Sequence, residues 1–330
     1  MERLVFLQSN TMEPFQRETY HARWPFTVSA GVDSTIPIPM IGDVIDSIYL
    51  RFSGPFPNTV PTSYGTTLVN FAELSYQSNV IERVYGETLF IMNDLTVPQG
   101  KRASLTQLVG LDINTPLQEY YVKLTFSVPL PLCALHEAPM LRVVFAGVFG
   151  NVDYLIDYVF LKDPERNHLL NNRLEYLTQY FQVLDFGYKA TNHLKVVTSF
   201  VNSVKEIFWV LDNGEGTYSY VNDMKQLEFS LNGVQYLNQT SKYFHVIQPL
   251  QNHTKVPNSN IYSYSFALRP QDFQPSGEVN LSNLTNQQHI LTLGSQTTYM
   301  RIYALTYNVC TINNGVLTMK HTVSPSGFKP

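Results

Sequence analysis

One rhythm runs through most of this chain: a short run alternating apolar or aromatic residues with polar ones, then a cluster of proline, glycine or asparagine. VIDSIYLRF (44–52), MLRVVF (140–145) and VKEIFWVL (204–211) are such runs. The stretch 257–283, PNSNIYSYSFALRPQDFQPSGEVNLSN, shows the whole unit. Residues 261–268 alternate with a period near two, Arg269-Pro270 ends the run because proline cannot continue a ladder, Gln274-Pro275-Ser276-Gly277 forms a corner, and 278–281 restarts an extended segment. Roughly eight such strands fall in each half, at the spacing expected of β-sandwiches.

The chain reads in order as follows. Residues 1–23 are polar and mixed, an extended arm. Strands are expected at 24–28, 44–52, 68–75, 79–84, 120–130, 140–145 and 153–161, with 36–43 extended because two prolines forbid a regular helix there. Residues 87–95 are the helix of the first half, with Leu89, Phe90, Met92 and Leu95 on one side. Asp163-Pro164-Glu165 is a helix start, so a linker helix is placed within 163–175. In the second half strands are expected at 176–185, 193–199, 204–211, 224–231, 236–249, 290–293, 300–310 and 316–321, with Asn232-Gly233 as a hairpin turn. The division is an arm (1–23), a first sandwich (24–162), the linker helix (163–175), a second sandwich (176–322) and a tail (323–330).

Composition agrees with an all-β chain that works through its surfaces. Only 15% of the 330 residues are charged, while Tyr and Phe number 21 and 20. A net charge of −4 gives no global basic field for nucleic acid, and Lys101-Arg102 is too small a basic pair to argue for one. Cys133 and Cys310 lie in apolar strand-like surroundings and read as small buried hydrophobes. The first residues, MERLVFLQSNTMEPF, hold too short an apolar run for a signal peptide, and no run approaches the ~18 apolar residues of a membrane span. The expectation is a soluble protein of a reducing compartment.

Catalytic and metal motifs fail on inspection. His136-Glu137 begins an HExxH, but Pro139 and Met140 follow where the motif requires a second histidine one turn on. There is no CxxC, P-loop, dinucleotide fingerprint or nucleophile elbow. Asp153 and Asp157 share one face of a strand, but no substrate-like loop accompanies them, so solvated or interface carboxylates are expected. His245 and His253 read as loop or subunit contacts. Asn238, Asn252, Asn280 and Asn283 head N-x-S/T triplets, which are frequent by chance in a chain this rich in Asn and Thr. No catalytic, cofactor-binding or metal-binding residue is assigned, and the chain is not read as an enzyme.

Pattern alone does not separate a jelly roll from an immunoglobulin-like sandwich. Particular segments do more. YSFALRPQDFQPSGEVNLS (264–282) closely resembles a stretch of the major capsid proteins of large icosahedral double-stranded DNA viruses of the iridovirus and phycodnavirus type. IGDVIDSIYL, PLPLCALHEAPMLRVVF, the run from Asp153 to Gln182, VKEIFWVL and RIYALTYNVCTINNGVL resemble that family in the same order. Around Tyr76-Gln77-Ser78 the family commonly has an Ile-Gly-Gly turn, which this chain lacks. The family is generally longer, which implies trimmed loops here. The resemblance implies two tandem eight-stranded jelly rolls and a structural role: pseudo-hexagonal homotrimeric capsomers tiling an icosahedral shell. It further implies neighbouring capsomers, minor capsid and penton proteins and an internal viral membrane as partners, no sequence-specific nucleic acid, and a place in the virion after assembly in the host cytoplasm. The alternatives are a scaffold of the same fold that shapes an immature viral membrane, and a carbohydrate-binding β-sandwich.

Overall fold

The computed structural model describes residues 16–22, 32–189, 191–213, 218–294 and 298–322. Eighteen strands among them form four sheets. In the first half β1 (Gln16–Ala22), β2 (Asp33–Pro37), β3 (Val44–Ser53), β4 (Val69–Tyr76), β5 (Asn79–Tyr85), β6 (Glu119–Leu124), β7 (Met140–Phe145) and β8 (Asn151–Phe160) make two antiparallel sheets. Their orders are β1-β8-β3-β6 and β2-β7-β4-β5. If the strands are lettered B to I, these are B-I-D-G and C-H-E-F, the two sheets of a jelly roll. The letters repeat in the second half with β9 (Leu174–Lys189), β10 (His193–Thr198), β11 (Ser203–Asp212), β12 (Met224–Leu231), β13 (Val234–Thr240), β14 (Ile261–Ser265), β16 (Gln287–Leu293) and β17 (Thr298–Asn313). There β9, β17, β11 and β14 form B-I-D-G, and β10-β16-β12-β13 form C-H-E-F. The short β15 (Val279–Asn280) and β18 (Val316–Met319) extend the second B-I-D-G sheet.

Most of the anticipated strands are present, and the departures have local causes. A strand pairs with β8 inside the segment read as an extended arm. The strand expected at 24–28 lies outside the described residues. β6 ends at Leu124 rather than 130, because Ser127 leaves the ladder to bond its backbone and hydroxyl to the Glu82 carboxylate. The extended reading of 236–249 is corrected: β13 stops at Thr240 and a helical segment covers Tyr243–Asn252. β14 ends at Ser265, where the Ser265 hydroxyl donates to Ala267 O and turns the chain early. Pro249 lies in the first turn of the helix Gln248–Asn252, directly after the π-helical turn Tyr243–Ile247. Of the helices, α1 (Tyr64–Thr67) was not anticipated, α2 (Gly86–Thr96) was, α3 (Arg102–Val109) was not, and α4 (Asp163–Asn171) falls within the linker region. The last helix, α5 (Gln248–Asn252), completes the helical segment after β13.

The Gln77-Ser78 turn joins β4 and β5 with both residues at positive φ, 48° and 66°. It is a two-residue turn of the primed kind, made without the glycine that normally relieves it. Asn232-Gly233 and Asn314-Gly315 make the same turn with the expected residues.

Two apolar cores result. Alternation in the second B-I-D-G sheet divides its side chains cleanly: Ile207, Trp209, Leu211, Met300, Ile302 and Ala304 fill the second jelly roll. Phe208, Val210, Val183, Tyr303 and Leu305 point the other way, into a core shared with the first jelly roll. That sheet is therefore buried on both faces.

Candidate functional site

The surface between the two jelly rolls is the most elaborately built part of the molecule. Its key is α2, which links β5 and β6. The helix begins at Gly86 because nothing larger fits: a Cβ there would lie 2.0 Å from Val69 O and 2.3 Å from Thr66 O. Thr88 Oγ1 accepts from the Tyr85 N–H at 3.1 Å and satisfies one orphan donor of the first turn. Leu89, Ile91 and Leu95 enter the shared core, while Phe90 stacks on Tyr218 at 5.3 Å. The other side of α2 carries two carboxylates, Glu87 and Asp94, two helical turns apart, and both reach the second half of the chain.

Glu87 is buried against the second B-I-D-G sheet. Its Oε2 lies 2.6 Å from Arg301 Nε, its Oε1 accepts from Arg301 Nη2 at 2.7 Å and from the Tyr220 hydroxyl at 2.6 Å, and the Tyr303 hydroxyl donates to Oε2. Arg301 also reaches Asp212 Oδ2 at 3.1 Å. Burial works most strongly against the guanidinium charge, but the pull of Glu87, Tyr303 and Tyr220 together overcomes it and raises the Arg301 pKa. Burial beside Glu87 raises the hydroxyl pKa of Tyr218, Tyr220 and Tyr303 well above the usual value, so all three stay protonated and two serve as donors.

Asp94 repeats the arrangement one layer away. It takes Arg102 Nη1 at 2.9 Å, Lys255 Nζ at 2.8 Å and the Ser259 N–H at 2.8 Å. Burial would raise its pKa, yet these donors lower it overall. Arg102, half of the basic pair noted in the sequence, is thus spent inside the protein, with Asp94 and Asp112 as partners.

A third contact comes from the β17–β18 hairpin. Gly315 O accepts from the His136 N–H at 3.0 Å and from the Tyr76 hydroxyl at 2.6 Å. Glu82 and Ser127 form a fourth, with the Ser127 hydroxyl donating to Gln179 O at 2.6 Å. Together these fix one jelly roll on the other.

The residues singled out from the sequence are scattered. Asp153 and Asp157 do share a face of β8: Arg51 donates to Asp153 at 2.6 Å and Ser47 to Asp157 at 2.5 Å. The His245 ring lies 3.0 Å from Ile261 O, and the buried His253 ring lies 2.6 Å from Glu206. Cys133 and Cys310 are both free, and burial pushes their thiols up to about 11 and about 12. Asn238 is exposed on β13, Asn252 sits in α5, Asn280 accepts from the Ser282 N–H to start a turn, and Asn283 is exposed. Among the described residues no group of three His, Cys, Asp or Glu side chains is placed to hold a metal. Among the same residues no helix is long and apolar enough to cross a membrane. A cleft of about 340 Å³ between the halves is lined by Pro129, Tyr176, Phe273 and Pro275; its carboxylate, Glu175, is taken by Arg173 at 2.5 Å.

Sequence reasoning missed Glu87, Asp94 and Arg301. The signal was present: two acids seven apart on the expected helix share a face, and Arg301 interrupts an otherwise apolar strand.

Fold and seam together define the class, a double jelly roll whose halves are locked as one body. A model of the large eukaryotic DNA virus major capsid protein matches residues 165–318. The major capsid protein of Pyramimonas orientalis virus is 25% identical, with 94% of each chain covered. That alignment runs over 378 positions, more than this chain's 330 residues, so the relative carries insertions and the loops here are the shorter ones. Among solved structures, the PBCV-1 virus capsid superposes with a TM-score of 0.83 at 21% identity, covering 96% of this chain and all of that one. The Faustovirus major capsid protein does so at 0.70 and 10%, covering 93% and 92%. The chain is thus similar in sequence and in fold to the large eukaryotic DNA virus major capsid proteins, the group its sequence resembles.

Proposed function

We propose that this chain is a major capsid protein, a structural subunit whose copies assemble into pseudo-hexagonal homotrimeric capsomers that tile an icosahedral shell. The observation that carries the reading is the pairing of two jelly rolls of identical strand order through a buried, charged seam. Two like sandwiches held rigidly side by side give one subunit two equivalent corners, and three subunits then give six. A ring of three uses one heterologous contact repeated, so it closes on itself. The work is done by outer faces, not by a pocket. Neighbouring capsomers, minor capsid and penton proteins and an internal viral membrane are the partners this role implies, with the virion as final location and the host cytoplasm as the place of assembly. Residues 24–162 and 176–322 remain the two structural units of the proposal, with Gln16–Ala22 joining the first and residues 163–175 linking them.

The test is the solution mass of the purified protein together with negative-stain images. Trimers with a six-sided outline are expected. A stable monomer at micromolar concentration, at every salt concentration tried, would overturn the proposal.

A further inference from the structure

The contact between the jelly rolls uses two surfaces, and each has a counterpart left open. One surface is the F strand of the first jelly roll, β5, with the helix that follows it, α2. The other is the outward face of the second B-I-D-G sheet. β5 is largely buried, as are Phe208, Val210, Tyr303 and Leu305 on the sheet it meets. The F strand of the second jelly roll is β13, and nearly all of it is exposed, Val234 at 69%. The helical segment after it, Tyr243–Asn252, lies between F and G as α2 does, and it exposes Ile247 and, at 68%, Leu250. The outward face of the first B-I-D-G sheet is open in the same way. It presents Tyr49, Arg51, Tyr121, Lys123 and Leu155, half-buried or exposed, whereas the opposite side chains Leu50, Phe52, Val122 and Tyr154 are buried.

The charges are exchanged in step. In the built seam an acid at the start of the helix, Glu87, meets a base on the I strand, Arg301, beside an acid on the D strand, Asp212. In the open pair the helical segment starts at an exposed base, Lys242. The I strand carries an acid, Asp153, beside a base on the D strand, Arg51. Sign is reversed on both sides, so attraction is kept between the open surfaces and the cross-pairings are disfavoured.

We infer that the segment Tyr243–Asn252 and β13 of one copy dock on the outward β8–β3–β6 face of the first jelly roll of a second copy of this chain, in the manner in which α2 docks within one copy. This rests on the capsomer reading and names its contact surface. The contact joins two different patches, so it propagates around a ring rather than closing a two-fold dimer.

Size-exclusion with mass detection of the parent protein comes first, because a monomer there removes the capsomer reading itself. Leu250→Asp and Lys242→Glu are then compared with Leu170→Asp, an exposed leucine on α4 that belongs to neither of these two surfaces. Each of the first two is expected to raise the concentration at which trimers dissociate on the order of tenfold or more, with unchanged circular dichroism and Tm; Leu170→Asp leaves it unchanged. As a measurement independent of stability, Leu250→Cys with Tyr49→Cys is treated with a short bis-maleimide, expecting covalent links between copies that the parent, with Cys133 and Cys310 only, does not form. Trimers indifferent to Leu250→Asp and Lys242→Glu, together with no linkage, would refute the docking surface while leaving the trimer standing.

Discussion

Arg301→Met is the most informative single perturbation of the seam. The guanidinium is 1% exposed and lies 2.6 Å from Glu87 and 3.1 Å from Asp212, which are 3% and 0% exposed. With an effective dielectric near 20 and charges about 4 Å apart, each attraction is on the order of 4 kcal/mol before desolvation is subtracted. Methionine keeps the length and apolar stem but leaves two buried carboxylates without their cation. Removing one partner of such a group costs about 3–5 kcal/mol, which lowers Tm by roughly 4–7 °C in a chain this size. The assay is thermal and urea unfolding followed by circular dichroism. The argument also fixes the second arm. In Arg301→Met with Glu87→Gln and Asp212→Asn no buried charge is left unpaired, and an amide at position 87 accepts from one of Tyr220 and Tyr303 through its oxygen and donates to the other's hydroxyl oxygen through its nitrogen. At least half of the lost stability is expected to return. A loss under about 1 kcal/mol for Arg301→Met, or a triple variant no more stable than the single one, would refute the reasoning.

Other expectations follow from the same geometry. Gln77→Asn with Ser78→Gly places favoured residues at two positive-φ positions and should stabilise by about 1 kcal/mol in urea titration. Gly86→Ala drives a Cβ into two backbone carbonyls and should lose more than about 3 kcal/mol or fail to yield folded protein in expression trials. His289 is fully buried: Trp209 Nε1 donates to its Nδ1 at 3.2 Å, so its Nε2 carries the proton toward the Thr198 hydroxyl at 3.1 Å. Desolvation pushes its pKa down to about 3, so the unfolded chain takes up the proton first. Its contribution is complete above pH ~6.5 and is lost as pH falls toward 3, by up to about 1.4 kcal/mol per pH unit; His289→Gln should flatten that slope in pH-dependent unfolding. Cys133 and Cys310, with thiols raised by burial, should resist iodoacetamide at pH 8 in the native protein and react on unfolding.

How much of this was legible in the chain depends on the range of the interaction that decides it. Strands such as VIDSIYLRF declare themselves because a period of two is set by neighbours along the chain. The end of β6 does not, because Ser127 turns away to meet Glu82, a partner 45 residues back. The segment after β13 reads as extended from its aromatic and β-branched residues, yet Tyr243–Ile247 coil because Phe244 is drawn into the core beside Trp209. The weak one-sidedness of α2 is the trace of a helix covered on two sides. The seam escaped notice because each member looks ordinary alone. A glutamate on a helix and an arginine in a strand acquire meaning only when 214 residues of chain bring them together. The resemblance to capsid proteins supplied what periodicity could not, the choice of jelly roll among sandwiches.

The position of β17 in its sheet has a consequence for synthesis. It lies between β9 and β11 and carries Arg301 and Tyr303, so neither the second core nor the seam can be completed before it emerges. A ribosome delivers it after its partners β9 and β11. The first jelly roll therefore waits with Glu87 of α2 lacking Arg301 and Tyr303, and the seam closes in a late step of translation. Nascent chains stalled upstream of β17 would hold the second core and the seam unfinished.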